Sequence, residues 1–214
     1  MKIKWLGHSA FLLTASDGTR IITDPYLPDG EIAYGPVTDT ADYVTVSHNH
    51  SDHNNVSGLP GKPEVIRSAG RHKAGGVAVA GFDSFHDAVQ GARRGRNVIF
   101  VFEDAGLRVA HLGDLGHVPV SQAEGMGRVD VALVPVGGFY TIDAAEAHKT
   151  AALLDARVIV PMHYATAKTQ MPIVGVEEFI KGQADVRHVG RSDVEVSLET
   201  LPDKPETWVM EHEL

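Results

Sequence analysis

Apolar positions along this chain alternate with polar ones, or run unbroken over a few residues, more often than they recur with a helical spacing. Alternation marks strands with one buried face, and unbroken β-branched runs mark strands buried on both. The pattern predicts an opening meander: Lys2 to Leu6, Phe11 to Thr14 and, after the turn Ser16-Asp17-Gly18, Arg20 to Thr23. Asp24-Pro25 ends the third strand, and the Pro- and Gly-containing loop from Tyr26 to Val37 is long enough to border a pocket. Further strands are expected at Tyr43 to Ser47, Glu64 to Arg67, Val77 to Gly81, Val98 to Glu103, Leu107 to His111, Val131 to Val136, Arg157 to Pro161 and Val194 to Leu198. Two helices stand out. Asp143 with Glu146 three residues on makes a capping pattern ahead of an alanine-rich run to Leu154, and Val176 to Gly182 reads as a shorter one. Strands interrupted by helices imply a layered α/β fold with two central sheets and helices outside.

Composition narrows the class. A chain of 214 residues is expected to form one domain over its whole length, and 43% hydrophobic residues is ordinary for a globular protein. Asp plus Glu outnumber Lys plus Arg by 28 to 19, a formal charge of −9 that opposes attraction to nucleic acid and to anionic membranes. There is no cysteine, so no disulfide framework, and no apolar run near the roughly 18 residues of a membrane span. Met1-Lys2-Ile3-Lys4-Trp5 reads as a strand instead of a signal peptide, which makes the cytoplasm the expected location. The expected partner is a small-molecule substrate, with Trp208-Val209-Met210 able to dock on the core or on a second copy in a homo-oligomer.

The chemistry concentrates in His48-Asn49-His50-Ser51-Asp52-His53, four metal-competent side chains at the end of a predicted strand. At a strand end, residues two apart point the same way, so His48 and His50 can grip one cation while Asp52 and His53, displaced by the turn, face another. Imidazole suits zinc, iron, nickel or copper, and the carboxylate adds a hard oxygen donor. Without thiolates, this donor set points to a reactive centre and away from a structural zinc site.

The run resembles the His-x-His-x-Asp-His signature of the metallo-β-lactamase superfamily, and the match is complete. The resemblance implies a four-layer αββα sandwich with a dinuclear centre completed by a lone histidine, a bridging aspartate after glycine and a last histidine. His86 in Asp83-Ser84-Phe85-His86-Asp87, Asp114 in His111-Leu112-Gly113-Asp114 and His163 in Val160-Pro161-Met162-His163-Tyr164 fill those places in order. Trp5-Leu6-Gly7-His8-Ser9, Thr23-Asp24-Pro25, Val136-Gly137-Gly138-Phe139 and Pro161-Met162-His163-Tyr164 look more narrowly like the compact metal-dependent hydrolases related to ascorbate-phosphate lactonases.

The implied activity is hydrolysis of an ester, lactone or phosphoester by a hydroxide bridging two divalent ions, with zinc the default by donor type and manganese open through the lactonase resemblance. His48, His50 and His86 would hold the first ion, Asp52, His53 and His163 the second, and Asp114 both. Asp52, Asp114 and His8 are the expected catalytic residues. The alternatives are a phosphodiesterase or nuclease, for which the chain offers no basic groove, and a non-hydrolytic metal-binding module; diiron redox relatives would carry Glu at position 50.

Several assignments stay open on the sequence. His111 rivals His86 as the third nitrogen donor, or orients Asp114 from behind; Asp24 either fixes the tautomer of a ligating imidazole or forms an Asp-Pro turn. Gly137-Gly138 allow close backbone approach, and Phe139-Tyr140 can wall a pocket. Arg93, Arg94 and Arg96 read first as a solvated hairpin, with an anionic substrate group as the other use. His72, His117, His148, His188 and His212 lack a ligand context.

Overall fold

The computed structural model describes residues 1–214. Strands β1 (Lys2–Gly7), β2 (Ala10–Thr14) and β3 (Arg20–Thr23) form the expected antiparallel meander, to which β4 (Tyr43–Thr45) and β5 (Glu64–Ile66) add in parallel. A second meander follows, of β6 (Gly70–Ala74), β7 (Val77–Phe85), β8 (Arg96–Asp104) and β9 (Leu107–His111). The remainder alternates α1 (Val120–Met126), β10 (Val131–Pro135), α2 (Ala144–Leu154), β11 (Val158–Met162) and α3 (Val176–Ile180), then adds β12 (Val186–His188), β13 (Asp193–Glu195) and β14 (Glu206–Val209). The six-stranded sheet runs β13-β1-β2-β3-β4-β5 and the eight-stranded sheet β12-β14-β11-β10-β9-β8-β7-β6, both mixed.

The hydrophobic pattern explains this packing. In β2, Phe11 and Leu13 enter a core of 42 buried residues shared by both sheets, while Ala10 and Leu12 face the other way into a smaller cluster. The strands β10 and β11, parallel and covered on both faces, are buried at every position. On the outside of the eight-stranded sheet, α1 packs on β7 and α2 on β10 and α3. Asp143 caps α2 by accepting from the Glu146 amide at 2.8 Å, and the Glu146 carboxylate returns the contact to the Asp143 amide. Over the six-stranded sheet the outer layer is loop: Tyr26, Ile32, Tyr34 and Val37 close on Leu12, Ile22 and Val44, helped by a 3₁₀ turn at Val56–Gly58.

Several boundaries differ from the sequence expectation. The strand expected to stop at Gly81 continues to Phe85, because its pairing with β8 runs from Ala78–Glu103 to Phe85–Arg96. Gly70–Ala74, with Arg71, His72 and Lys73 on an edge, is a strand whose charges disguise it. Trp208 and Val209 do not wait for a second copy: β14 lies between β11 and β12 and buries Trp208 within the sheet. No helix is long and apolar enough to cross a membrane.

Leu133, fully buried in the central parallel strand β10, tests the shared core. Leu133→Ala should lower the free energy of denaturant unfolding by about 2–5 kcal/mol, and a loss much below that range would show that the two sheets do not depend on this layer.

Candidate metal centre

The strands β1, β3 and β4 of one sheet share a direction, as do β7, β9 and β11 of the other. Six strands therefore end on one edge of the sandwich, and each is followed by a candidate residue: His8, Asp24, His48, His86, Asp114 and His163. Backbone bonds tie the two rims together: the His163 amide donates to the His8 carbonyl at 3.2 Å and the Val98 amide to the Ser47 carbonyl at 2.9 Å. His8, Asp24 and His163 turn out of their strands in the left-handed region, with φ of 50°, 37° and 51°. Non-glycine residues hold that conformation only where their surroundings enforce it, and such residues cluster at functional sites.

Asp114 is the centre of the arrangement. Its carboxylate lies 3.1 Å from Nε2 of His53, 3.3 Å from that of His86, 3.4 Å from that of His163 and 3.7 Å from that of His48. Two groups of donor atoms flank it, His48 with His50 and His86, and Asp52 with His53, His163 and His8, each within 4.8 Å of one another. His53 Nδ1 donates to Asp24 at 2.9 Å, which leaves its Nε2 turned toward Asp114. Asp24 also accepts from the Ser47 amide at 2.7 Å and the Ser47 hydroxyl at 2.5 Å. His8 Nε2 lies 3.3 Å from Asp52.

Every residue expected in the centre from the sequence is thus brought to one place, and His8 stands among the donors around Asp52. His86, and not His111, sits with His48 and His50. Both nitrogens of His111 are spent on backbone: Nε2 donates to the Ser9 carbonyl at 2.8 Å and Nδ1 accepts the Gly113 amide at 3.2 Å. The Asp114 amide is instead held by Asn97 Oδ1 at 3.0 Å, while the Asn97 amide group donates to Ser84 and to the Leu112 carbonyl. Sequence reasoning missed Asn97 and Ser47; the signal available was a polar side chain at the buried end of an apolar strand. Gly113 has φ of 56°, and a Cβ there would lie 2.4 Å from Asn97 Oδ1. The tight turn that aims Asp114 therefore admits no side chain.

The donors fit divalent cations. Nε2 of His48, His53 and His163 and Oδ1 of Asp114 are buried without a properly directed hydrogen-bond partner. Such atoms are costly unless something else satisfies them, and a cation between converging lone pairs does so. Burial lowers His8 to about 4, His48 to about 3 and His86 to about 4, so all three offer a neutral imidazole at pH 7. Burial opposes charge on His53 as well, but Asp114 and Asp52 outweigh it and hold its pKa well above the ordinary imidazole value. Burial likewise opposes ionisation of Asp114, yet His163 and His53 overcome it and keep the carboxyl well below the usual range.

The rim differs from the solvated hairpin expected for Arg93 to Arg96. Arg94 borders the cavity that Asp114, His86 and Asp52 line, with its guanidinium 5.0 Å from the Tyr140 ring centre, whereas Arg93 is exposed. Phe139 stands 64% exposed at this mouth, and Gly137 brings the chain so close that a Cβ would lie 2.2 Å from the His163 carbonyl.

Known proteins resemble this chain over most of its length. Residues 2–163 match the beta-lactamase superfamily domain. The UPF0173 metal-dependent hydrolase of Archaeoglobus fulgidus is 33% identical over 197 residues, covering 78% of this chain and 84% of that protein. A UPF0173 protein of Pyrococcus furiosus is 34% identical over 204 residues, covering 85% and 90%. The crystal structure of a candidate Zn-dependent hydrolase of the metallo-beta-lactamase superfamily from Thermotoga maritima is 40% identical, with a TM-score of 0.80 over 99% of both chains.

Two outcomes follow from the charge states. Adding a divalent metal to chelator-treated protein at pH 7 should displace the His53 proton, releasing about one proton per chain, measured by titration calorimetry in buffers of different ionisation enthalpy. Because this pKa is raised, the release should fade as the pH climbs through it, where the proton has already left. Asp24→Asn, which removes the acceptor of His53 Nδ1, should weaken metal binding by about 10–100-fold in a competition assay with a chromophoric chelator.

Proposed function

The chain belongs to the metallo-beta-lactamase superfamily, and from that premise we propose that it is a metal-dependent hydrolase that cleaves an ester, lactone or phosphoester bond of a small molecule at a dinuclear centre. One observation carries the reading: a single buried carboxylate, Asp114, lies between two converging donor groups drawn from four strand ends. His48, His50 and His86 would hold one ion, and Asp52, His53 and His163 the other, with Asp114 shared. Bound divalent cations, zinc by donor type with manganese the second candidate, lower the pKa of water and polarise the oxygen under attack.

The protein's own groups prepare the rest. Asp24 accepts from His53 Nδ1 and so presents the lone pair of Nε2 to the centre. His8, neutral at pH 7, can donate its Nε2 proton to Asp52 and fix the carboxylate's orientation. Asn97 and Gly113 hold Asp114 at a set depth. Exposed His50 and half-buried Asp52 open onto a cavity of about 400 Å³ bounded by His86, Asp114 and Tyr140, a size suited to a small substrate. No activated serine is needed, and a cysteine nucleophile is absent from the sequence.

Metal analysis of protein purified without chelator should find close to two ions per chain, a count read from the two donor groups. Chelation should abolish turnover across a panel of lactone, thioester and phosphodiester substrates, and a divalent metal should restore it. His50→Ala and Asp114→Ala should each lower kcat/KM by at least about a hundredfold, the scale of losing one electrostatic group in a reaction centre. Turnover indifferent to chelator, or full metal content in Asp114→Ala, would sink this reading.

A further inference from the structure

A second, larger cavity of about 760 Å³ adjoins the one above, and Asn49, His50 and Arg94 line both. Charge is segregated between them. The larger cavity carries Arg67, Arg94 and Arg96 against Asp83, whereas the smaller carries Asp29, Glu31, Asp52 and Asp114 against Arg94 alone. In a chain of formal charge −9, three arginines lining one cavity are not an effect of composition. None of the three pairs with a carboxylate, as Arg20, Arg108 and Arg128 do, although Arg67 also donates to the Asn54 side-chain carbonyl.

Arg94 is the one held in place. The buried carboxylate of Asp87, next to His86, accepts the amides of Val89 and Gly91 on one oxygen and those of Arg93 and Arg94 on the other, at 2.8 to 2.9 Å. That fixes the loop between β7 and β8 at its base. The guanidinium rests over the rings of Tyr140 at 5.0 Å and Phe139 at 6.0 Å and reaches the Tyr140 carbonyl at 3.4 Å. A planar fork so positioned, with no carboxylate of its own, is ready for a bidentate anion.

Resting on the hydrolase reading, we propose that the substrate carries a second, non-reacting anionic group, a carboxylate or a phosphate, which Arg94, supported by Arg67 and Arg96, receives in the larger cavity. The bond to be cleaved then lies past His50 in the smaller one. Arg94 is in this role a specificity-determining residue, and Asp87 a positioning residue that acts through it.

The test separates anion recognition from hydrolysis. Binding of inorganic phosphate and of succinate is measured by calorimetry on the full chain, as purified and after chelation, for the wild type, Arg94→Ala, Arg94→Lys and Arg93→Ala. The arginine site predicts that Arg94→Ala weakens binding of the preferred anion by about tenfold or more in both preparations, that Arg94→Lys recovers part of it, and that Arg93→Ala, an exposed neighbour, leaves it intact. Which anion binds more tightly distinguishes a phosphate-bearing from a carboxylate-bearing substrate. Absence of binding, binding insensitive to Arg94, or binding lost on chelation and therefore owed to the cations alone, would each overturn the proposal. In the metal-loaded enzyme, the preference for mono-4-nitrophenyl succinate over 4-nitrophenyl acetate should fall about tenfold in Arg94→Ala. If neither these esters nor any lactone, thioester or phosphodiester of the panel is hydrolysed by the metal-loaded protein while Arg94-dependent binding persists, the hydrolase reading fails and the anion site stands.

Discussion

One buried carboxylate sets the terms for the rest of this molecule. Asp114 is almost fully enclosed, and an isolated charge at that depth would cost far more than a domain's net stability allows. It is sustained because four imidazoles face it, one of them, His53, drawn into the charged state by its acidic neighbours. The same convergence leaves lone pairs aimed at one another with poor hydrogen-bond angles, an arrangement that a proton satisfies badly and a bound cation satisfies well. The fold and the chemistry therefore make the same demand: these side chains must stay together.

Rigid elements hold them there. Each candidate donor follows a strand whose register is fixed by neighbours, so its position is set by ladders of backbone bonds and not by the side chain alone. Left-handed backbone at His8, Asp24 and His163 is what turns the chain from strand direction into the cleft. The energetic cost of those conformations, about 1–3 kcal/mol each, is offset by the buried strands on which they sit. Behind the donors, Ser47, Asn97 and His111 consume polar groups that would otherwise compete for the centre.

The rim obeys a different logic. Arg94 and the Phe139-Tyr140 pair come from connections between elements, where the chain can vary without disturbing either sheet. Charge there is distributed across two adjoining cavities, acidic in the one that Asp52 and Asp114 line and basic in the one that Arg67, Arg94 and Arg96 line.

The sequence by itself determined which residues are candidates for the donor set. His48 to His53 lie close together at a strand end, and the unbroken apolar run of Val131 to Val136 fits a strand covered on both faces. The opening meander and the capped helix at Asp143 were legible for the same reason: each is dictated by neighbours within a few residues. What lacked a local signal was hidden. The strand Gly70–Ala74 carries edge charges, α1 contains Gly125 and lacks a side-chain cap, and Trp208 belongs to a sheet position that only its partners define. Whether His86 or His111 joins His48, which face of the basic loop turns inward, and how deep Asp114 lies were decided by tertiary structure alone. Those choices depend on which strands become neighbours and on backbone groups, such as the Ser9 carbonyl and the Gly113 amide, that reach His111 first. A spacing in sequence carries no record of contacts made across a hundred residues of chain, as between His111 and Ser9.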